Sequence, residues 1–185
     1  KDIELLVSQV DRCNEILKKL SLNPTIEDGF IDKNISLHNY VKEVVNSFQE
    51  ISEKNFIINI EQDYNSFEIS KSIEIVYGIR NFIGNANKFS KKNIHISITS
   101  DSEKSTISIE DDGPGFPKDI LTKIGEPYIK SFQSKNKYRA GLGLGIFIGK
   151  TLLEKNKAKL LIRNSETRGG AEIKIEWNNK DLKNI

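Results

Sequence analysis

The chain has 185 residues, of which 37% are hydrophobic and 29% are charged, and its formal net charge is +2 at pH 7. This length and composition predict a soluble globular protein with one domain and an appendage, rather than two full domains. The small charge gives no basic footprint for nucleic acid, and no apolar run reaches the ~18 residues that a membrane span needs. Cys13 is the only cysteine, so an internal disulfide is excluded, and we interpret it as a small apolar residue within a helix.

An amphipathic helix is predicted over residues 2–22. Its apolar positions alternate at spacings of three and four residues, which is typical of a helix that packs against other helices. These positions are Ile3, Leu6, Val10, Cys13, Leu17 and Leu20. Asn23-Pro24 ends the helix, because a residue before proline disfavours the helical conformation, and residues 23–30 are interpreted as a linker. Since the sequence opens with Lys1 and no initiator, we expect the rest of a helical bundle to lie upstream in a longer protein.

Helices and strands mix along residues 31–180 without a strict βα repeat. Helices are predicted from Ser36, which is a suitable N-cap, and over 71–89 and 144–155. Strands are predicted around 56–60, 67–69, 94–98 and 107–109, and two more end the domain. In the last strand Ala171, Ile173, Ile175 and Trp177 are expected to face inward and Glu172, Lys174 and Glu176 outward. The pattern predicts an α+β fold with helices on one face of a mixed sheet.

A long segment between about residues 112 and 141 has no apolar periodicity and is rich in Gly, Pro, Lys and Ser. A connection of this length inside a compact domain is usually functional and is often a lid over a binding site. We therefore expect this segment to cover a ligand.

The helix predicted over 71–89 presents polar side chains together. At 100° per residue, Asn81, Asn85 and Lys88 share a narrow arc opposite the apolar residues. Asparagine is a mediocre helix former, so two of them one turn apart suggest a function. Amide oxygens can ligate a hard cation such as Mg²⁺, and the ammonium can meet phosphate. A solvated helix face in an Asn-rich sequence accounts for the pattern about equally well.

Asp111 continues the inward phase of the strand that contains Ile107 and Ile109. A carboxylate on the core side of a strand is costly unless it meets a donor, and the amino group of a ligand such as adenine would be one. The following Asp-Gly-Pro-Gly run, residues 112–115, predicts a sharp turn that can approach a ligand closely. The alternative is an aspartate that only starts a turn before a Gly-Pro loop.

A third motif, Gly141-Leu142-Gly143-Leu144-Gly145, directly precedes an apolar helix. Glycines at a helix start let backbone amides surround phosphate oxygens, and the helix dipole favours their negative charge. The motif is not the dinucleotide-binding fingerprint, because no strand leads into it, and the chain has no GxxxxGK[ST] phosphate-binding loop.

Taken in order, the motifs at 81–88, 111–115 and 141–145 resemble the N, G1 and G2 boxes of the histidine-kinase ATPase superfamily, which includes gyrase, the Hsp90 chaperones and MutL. That resemblance implies a two-layer α/β sandwich of the Bergerat ATP-binding type, preceded by one long bundle helix. Gyrase-like ATPases carry a glutamate where Asn81 stands, so its absence implies phosphoryl transfer to protein rather than hydrolysis. Residues 124–128, Ile-Gly-Glu-Pro-Tyr, resemble the F box. Together with residues 12–17 and 143–148, they are most similar to the RegB/PrrB type of redox-responsive sensor kinase.

The resemblance implies a role for each motif residue with ATP and Mg²⁺. Asn85 would hold the metal with support from Asn81, Lys88 would contact phosphate, and Asp111 would bind the adenine amino group. Arg139 matches a position that in some members carries an arginine reaching the γ-phosphate, which would make Asn81, Asn85, Lys88 and Arg139 the catalytic set. The other implied nucleotide-binding residues are Phe89, Gly113, Gly115, Tyr128, Gly141, Leu142, Gly143, Leu144 and Gly145.

The phosphoacceptor histidine of such kinases is followed at once by an acidic residue. His38 is followed by Asn39 and His95 by Ile96, so both histidines are interpreted as structural. The acceptor is therefore expected on a helical domain that this chain lacks.

The resemblance also divides the chain and implies its partners. Residues 1–22 would be the C-terminal part of a dimerisation and phosphotransfer hairpin, 31–180 the ATP-binding catalytic domain and 181–185 a tail. The partners would be the histidine domain and a downstream response regulator, and no nucleic acid. We expect the full-length protein to be a homodimer anchored in the inner membrane, with the catalytic domain on the cytoplasmic side.

Two other functions remain open at this point. An anti-sigma-factor-type serine kinase of the same superfamily would share the three boxes, but it would not need a bundle helix before the domain. A non-catalytic nucleotide-binding module that signals by conformation alone would also keep the fold. The intact set of Asn85, Lys88, Asp111 and the glycines argues against such a module.

Overall fold

The structure is a computed structural model, and it describes residues 35–62, 68–69, 72–127 and 144–182, which belong to one unit, Lys33–Ile185. The predicted bundle helix over 2–22 and the linker over 23–30 lie outside these ranges. So do Cys13 and five implied site residues, namely Tyr128, Arg139, Gly141, Leu142 and Gly143. Within the described ranges, no helix has both the length and the apolar character needed to cross a membrane.

A five-stranded mixed sheet carries the domain, with the strand order β2-β4-β5-β7-β6. Its strands are β2 (Asn55–Gln62), β4 (Asn93–Ser100), β5 (Lys104–Asp111), β6 (Lys159–Asn164) and β7 (Ala171–Asn178). β2 and β4 run parallel, and the other neighbouring strands run antiparallel. A separate antiparallel pair joins β1 (Ile35–Ser36) to β3 (Glu68–Ile69).

The described helices are α1 (Leu37–Gln49), α2 (Ile73–Phe89), α3 (Gly145–Lys155) and the short α4 (Asn179–Leu182). The Ser36 hydroxyl accepts a hydrogen bond from the backbone N–H of Asn39, which makes Ser36 the predicted N-cap of α1. Ser72 caps α2 in the same way, and for this reason α2 begins at Ile73, two residues after its predicted start. The predicted α3 is found, with Leu144 as its N-cap rather than its first residue.

The core lies on one face of the sheet, where isoleucines of neighbouring strands stand opposite one another. Ile96 pairs with Ile109, and Ile107 pairs with both Ile98 and Ile175. The apolar faces of α1 and α2 cover these side chains, which are fully or almost fully buried. The opposite face of the sheet is polar, so the predicted α+β architecture with helices on one face is confirmed.

Two details differ from the expected pattern. Glu172 lies on the outward face of β7 as predicted, yet it is buried, because the Arg163 side chain lies beside it and donates a 2.6 Å hydrogen bond to its carboxylate. The folded domain also extends through Leu182, beyond the predicted boundary at residue 180, since the Leu182 side chain is fully buried.

Small residues bring α2 and α3 close together. A Cβ atom on Gly78 would lie 2.5 Å from Cγ of Leu153, and one on Gly149 would lie 3.0 Å from the ring of Phe82. No larger side chain fits at either crossing point without displacing its neighbour. The helix of the first motif therefore lies directly against the helix that follows the glycine-rich motif.

Candidate functional site

Asp111 ends β5 with its side chain on the core side of the sheet, at 3% exposure, as the strand periodicity predicted. Both hydrogen bonds that the described residues make to its carboxylate end on Oδ1, from the backbone N–H groups of Gly113 (2.8 Å) and Ala171 (3.3 Å). Burial raises the pKa of Asp111 above its ordinary value, although these two N–H donors partly offset the effect. A buried carboxylate with an oxygen left to accept is suited to a ligand that brings its own N–H donor.

Glycines enclose this carboxylate. A Cβ atom on Gly113 would lie 2.7 Å from Asp111 Oδ1 and 2.5 Å from the backbone oxygen of Phe89. A Cβ on Gly170 would collide with both the backbone oxygen and Oδ1 of Asp111. The backbone therefore packs against Asp111 at a distance that no other residue type would allow.

The turn after Asp111 is held by Asn164 at the end of β6. The Asn164 side chain accepts from the Phe116 N–H at 2.6 Å and donates to the Phe116 carbonyl at 3.0 Å. Gly115 has φ of +70° and lies against the Asn164 amide, which leaves no room for a side chain. The G1 turn is thus fixed to the sheet by a two-point amide contact.

The Asp112 side chain points away from Asp111 and accepts hydrogen bonds from backbone N–H groups between α2 and β4. Its carboxylate accepts from the N–H groups of Lys91 (2.8 Å), Lys92 (3.0 Å) and Asn93 (2.9 Å), and from the Asn93 side chain (3.1 Å). Partial burial alone would raise the pKa of Asp112, but these hydrogen bonds outweigh it and hold the pKa below its ordinary value.

The polar arc of α2 is present as predicted, with Asn81 and Asn85 half-buried and Lys88 exposed. The Asn81 amide donates to the Tyr77 carbonyl at 2.8 Å, and a Cβ on Gly145 would lie 3.7 Å from Asn81 Oδ1. Asn81 therefore stands beside the first residue of α3. The Asn85 amide makes no hydrogen bond within the described ranges.

The last turn of α2 carries a cation and an aromatic ring. The Lys88 ammonium lies 5.1 Å from the ring centroid of Phe89, within the range of a cation–π contact. Phe89 remains 37% exposed. The following Ser90 is buried at 6% exposure, and its hydroxyl has no hydrogen-bond partner among the described residues.

The described part of the predicted lid, residues 112–127, contains turns and one 3₁₀ helix, Leu121–Lys123. In its F-box segment, Gly125 has φ of +92° and lies against the aliphatic part of Lys150 on α3. No side chain caps α3, whose N-cap is Leu144. The start of α3 therefore lies beside Asn81, and the F-box turn packs against α3 at Lys150.

Both histidines stand apart from the α2 face. His95 is on the polar face of the sheet, where its ring Nε2 lies 3.1 Å from Arg168 Nη1. Burial lowers the pKa of His95, and the nearby charge of Arg168 lowers it further. His38 lies in the first turn of α1 and contacts the Ser36 hydroxyl at 3.2 Å. Each histidine has a local contact, and the interpretation of both as structural residues stays a prediction.

Sequence reasoning missed Asn164, Gly170, Ser90 and the structural role of Asp112. The Gly169-Gly170 pair before the last strand is compatible with a close backbone approach, but the pair does not identify Asp111 as the neighbour. Nothing in the sequence marked Asn164 or Asp112, because their partners lie 48 and about 20 positions away.

Comparison with known proteins gives a consistent result. The chain is 28% identical over 194 aligned residues to the sensor histidine kinase RegB of Cereibacter sphaeroides. This alignment includes 95% of the chain but only 42% of that relative, so the chain spans less than half of its length. Among solved structures, the mycobacterial sensor histidine kinase MprB matches with a TM-score of 0.66 at 18% identity, covering 79% of this chain and 97% of the other.

Full-length ShkA in complex with AMPPNP matches with a TM-score of 0.63 at 18% identity, covering 78% of this chain and 30% of the other. These likenesses show the same fold. The model of the family described as histidine kinase-, DNA gyrase B-, and HSP90-like ATPase matches residues 70–181, which span α2, the sheet from β4 onward and every described site residue. The chain therefore belongs to the histidine kinase-, DNA gyrase B- and HSP90-like ATPase family.

Proposed function

We propose that the chain contains the ATP-binding catalytic domain of a sensor histidine kinase, which transfers the γ-phosphoryl group of MgATP to a histidine on another, helical domain. The observation that carries this proposal is the Asp111 carboxylate. It is buried, its described hydrogen bonds all end on one oxygen, and glycines enclose it. The other oxygen offers an acceptor of the kind that the adenine amino group requires.

The polar arc of α2 supports binding of the phosphates. Asn85 has an amide oxygen with no hydrogen-bond donor among the described residues, and such an oxygen fits a Mg²⁺ ligand. When bound, the metal would neutralise charge on the phosphate oxygens. Lys88 is exposed at the end of the same arc and would contact phosphate, with Phe89 beside the nucleoside. Gly141, Leu142, Gly143, Leu144 and Gly145 would supply backbone N–H groups, and Arg139 and Tyr128 would complete the site.

The chemistry of Asn81 favours transfer to a protein over hydrolysis. Its amide nitrogen is committed to the Tyr77 carbonyl, which directs the amide oxygen toward Gly145. An amide cannot remove a proton from water, whereas a carboxylate at this position could act as a general base. Phosphoryl transfer to a protein side chain needs positioning and charge neutralisation, which the remaining residues can provide.

The partners follow from the same proposal. The similarity to RegB, a protein named as a sensor histidine kinase, extends over 95% of the chain and must therefore include most of residues 1–34. We infer that residues 1–22 are the last part of a dimerisation hairpin, that the acceptor histidine lies on an upstream helix, and that a response regulator receives the phosphoryl group. We also infer a homodimer that is held at the membrane, with this domain on the cytoplasmic side.

The test uses radiolabelled ATP with the chain alone and then with the separate helical hairpin that carries the acceptor histidine. We expect MgATP binding, no stable label on His38 or His95, and slow labelling of the added hairpin. Separation of the two pieces lowers their effective concentration and therefore the rate. Cys13→Ser is the control and should label the hairpin as the unsubstituted chain does. ATP binding without labelling of the hairpin under any condition would favour the non-catalytic nucleotide-binding module.

A further inference from the structure

Two charged side chains form hydrogen bonds with the backbone of the junction between α2 and β4, residues 90–92. Asp112 takes the backbone N–H groups of Lys91, Lys92 and Asn93, all at 2.8–3.0 Å. Lys54, which precedes β2, donates from its ammonium to the backbone oxygens of Ser90 (3.0 Å) and Lys91 (2.8 Å). The carboxylate therefore neutralises the donors of the junction and the ammonium neutralises its acceptors.

This junction ties the end of α2 to the turn after Asp111. Directly before it, the Phe89 backbone oxygen packs against Gly113, where a Cβ would lie only 2.5 Å away. Directly after it, Asn93 accepts from the Asp112 N–H at 3.3 Å, and Ile94 stands opposite Asp111 in the β4–β5 register. The backbone positions of Lys88 and Phe89 relative to Asp111 are thus set across a few short contacts.

We propose that Asp112 and Lys54 are positioning residues of the nucleotide site, which hold the phosphate-facing end of α2 at a fixed distance from the adenine-binding carboxylate of Asp111. This inference rests on the proposed function and adds two residues to it. Neither side chain needs to touch the nucleotide. Each acts through the backbone that carries Lys88, Phe89 and Asp111.

A carboxylate is required at position 112 because the three consecutive N–H groups use both of its oxygens: the Lys91 N–H bonds Oδ1, the Asn93 N–H bonds Oδ2, and the Lys92 N–H lies within reach of both. An asparagine there would keep one acceptor oxygen and present its own N–H donors to the remaining backbone donors. If the amide nitrogen replaces Oδ2, the half-buried Asn93 backbone N–H and side-chain amide lose their acceptor, and the junction would loosen. A small misplacement of binding groups is enough to reduce affinity or rate strongly.

The experiment compares Asp112→Asn and Lys54→Met with a matched control, Asp101→Asn. Asp101 also accepts two backbone N–H groups with its carboxylate, from Glu103 and Lys104 at 2.7 Å, but it lies in the β4–β5 turn at the opposite end of these strands. Affinities for MgATP and MgGTP are measured by competition against a fluorescent ATP analogue. The temperature is chosen so that circular dichroism shows each variant fully folded.

We expect Asp112→Asn to weaken MgATP binding about tenfold or more and to lower the ratio of ATP affinity to GTP affinity, because Asp111 is no longer aligned with the other contacts. Lys54→Met should act in the same direction with a smaller effect. Asp101→Asn should change neither affinity, because its amide oxygen can still accept from both N–H groups and the site is far from this turn. The ratio is the decisive measurement, since a general loss of stability would not change it in a folded protein.

Two results would overturn the inference while leaving the proposed function intact. One is a folded Asp112→Asn variant whose ATP affinity and ATP/GTP ratio stay within about twofold of the unsubstituted chain, a change too small to represent lost alignment. The other is an equal loss of affinity in Asp101→Asn. Failure of the unsubstituted chain to bind MgATP would instead overturn the proposed function, and this inference with it.

Discussion

Replacement of Asp111 by asparagine should separate the effect on nucleotide binding from the effect on folding. An asparagine amide oxygen can take the place of Oδ1 and keep both hydrogen bonds, from the N–H groups of Gly113 and Ala171. The amide nitrogen then replaces Oδ2 and presents a donor where the carboxylate presented an acceptor. The shape of the side chain is nearly unchanged, so the fold should persist.

The cost should appear in nucleotide affinity. The adenine amino group would face an N–H donor in a buried site, and a mismatched buried contact costs about 1–3 kcal/mol. At 1.4 kcal/mol per tenfold change, this corresponds to a roughly 5-fold to 150-fold increase in Kd. GTP, which carries an oxygen in place of the amino group, should lose nothing and should gain a hydrogen bond.

The stability of the ligand-free protein should change in the opposite direction. Burial raises the folded-state pKa of Asp111 above the ordinary value of 3.8. A carboxyl group with a raised folded-state pKa is more easily protonated in the native state, so its ionised form opposes folding once the pH rises through that pKa. The neutral amide carries no such charge. At pH 7 the variant should therefore unfold at the same urea concentration as the unsubstituted chain, or at a higher one.

Calorimetric titration with MgATP and MgGTP, together with urea denaturation followed by circular dichroism, tests both parts. Unchanged ATP affinity in a folded Asp111→Asn variant would refute the assignment of Asp111 to adenine. A large loss of stability would refute the view that its charge opposes folding.

Three further substitutions test neighbouring parts of the site. Asn85→Ala should abolish phosphoryl transfer to the histidine hairpin and the Mg²⁺ dependence of ATP binding, and magnesium titrations that match the unsubstituted chain would contradict this role. Gly170→Ala should lower the free energy of unfolding by about 1–3 kcal/mol and weaken ATP binding, because the new Cβ atom collides with Asp111. The control is Gly169→Ala, where φ is +76° but the new methyl group meets open space. This control should lose stability without any loss of ATP affinity. Ser90→Ala removes a buried hydroxyl that has no hydrogen-bond partner within the described ranges, and it should leave the unfolding free energy unchanged or raise it by up to about 1 kcal/mol, whereas a lower unfolding free energy in urea denaturation would show that the hydroxyl has a partner.

The sequence predicted those features of the site that depend on local periodicity. Alternation along β5 was enough to place Asp111 on the core side, and the helical repeat was enough to bring Asn81, Asn85 and Lys88 onto one face of α2. Each inference needed only the period of a single element. The order of the strands in the sheet was not required for either.

The features that the sequence did not predict depend on how distant elements meet. Gly170 reaches Asp111 because β7 pairs with β5, and Asn164 reaches Phe116 because β6 lies at the end of the sheet beside the G1 turn. A glycine pair or an asparagine after a strand occurs in many loops, so neither residue type indicates such a contact by itself. Only the strand order β5-β7-β6 brings these residues to the site.

Asp111 and Asp112 show how one short sequence supplies both the binding group and its support. The two residues are identical and adjacent, but the alternation of a strand turns their side chains to opposite sides. Among the described residues, Asp112 accepts from four N–H donors, which lower its pKa and make its charge favourable for folding, whereas Asp111 accepts from two, and burial raises its pKa. Within the described part of the chain, one oxygen of Asp111 therefore remains without a donor, and the N–H of a ligand would satisfy it. If Asp112 holds the adjacent backbone in place, as we propose, that oxygen stays available to a ligand in the folded state.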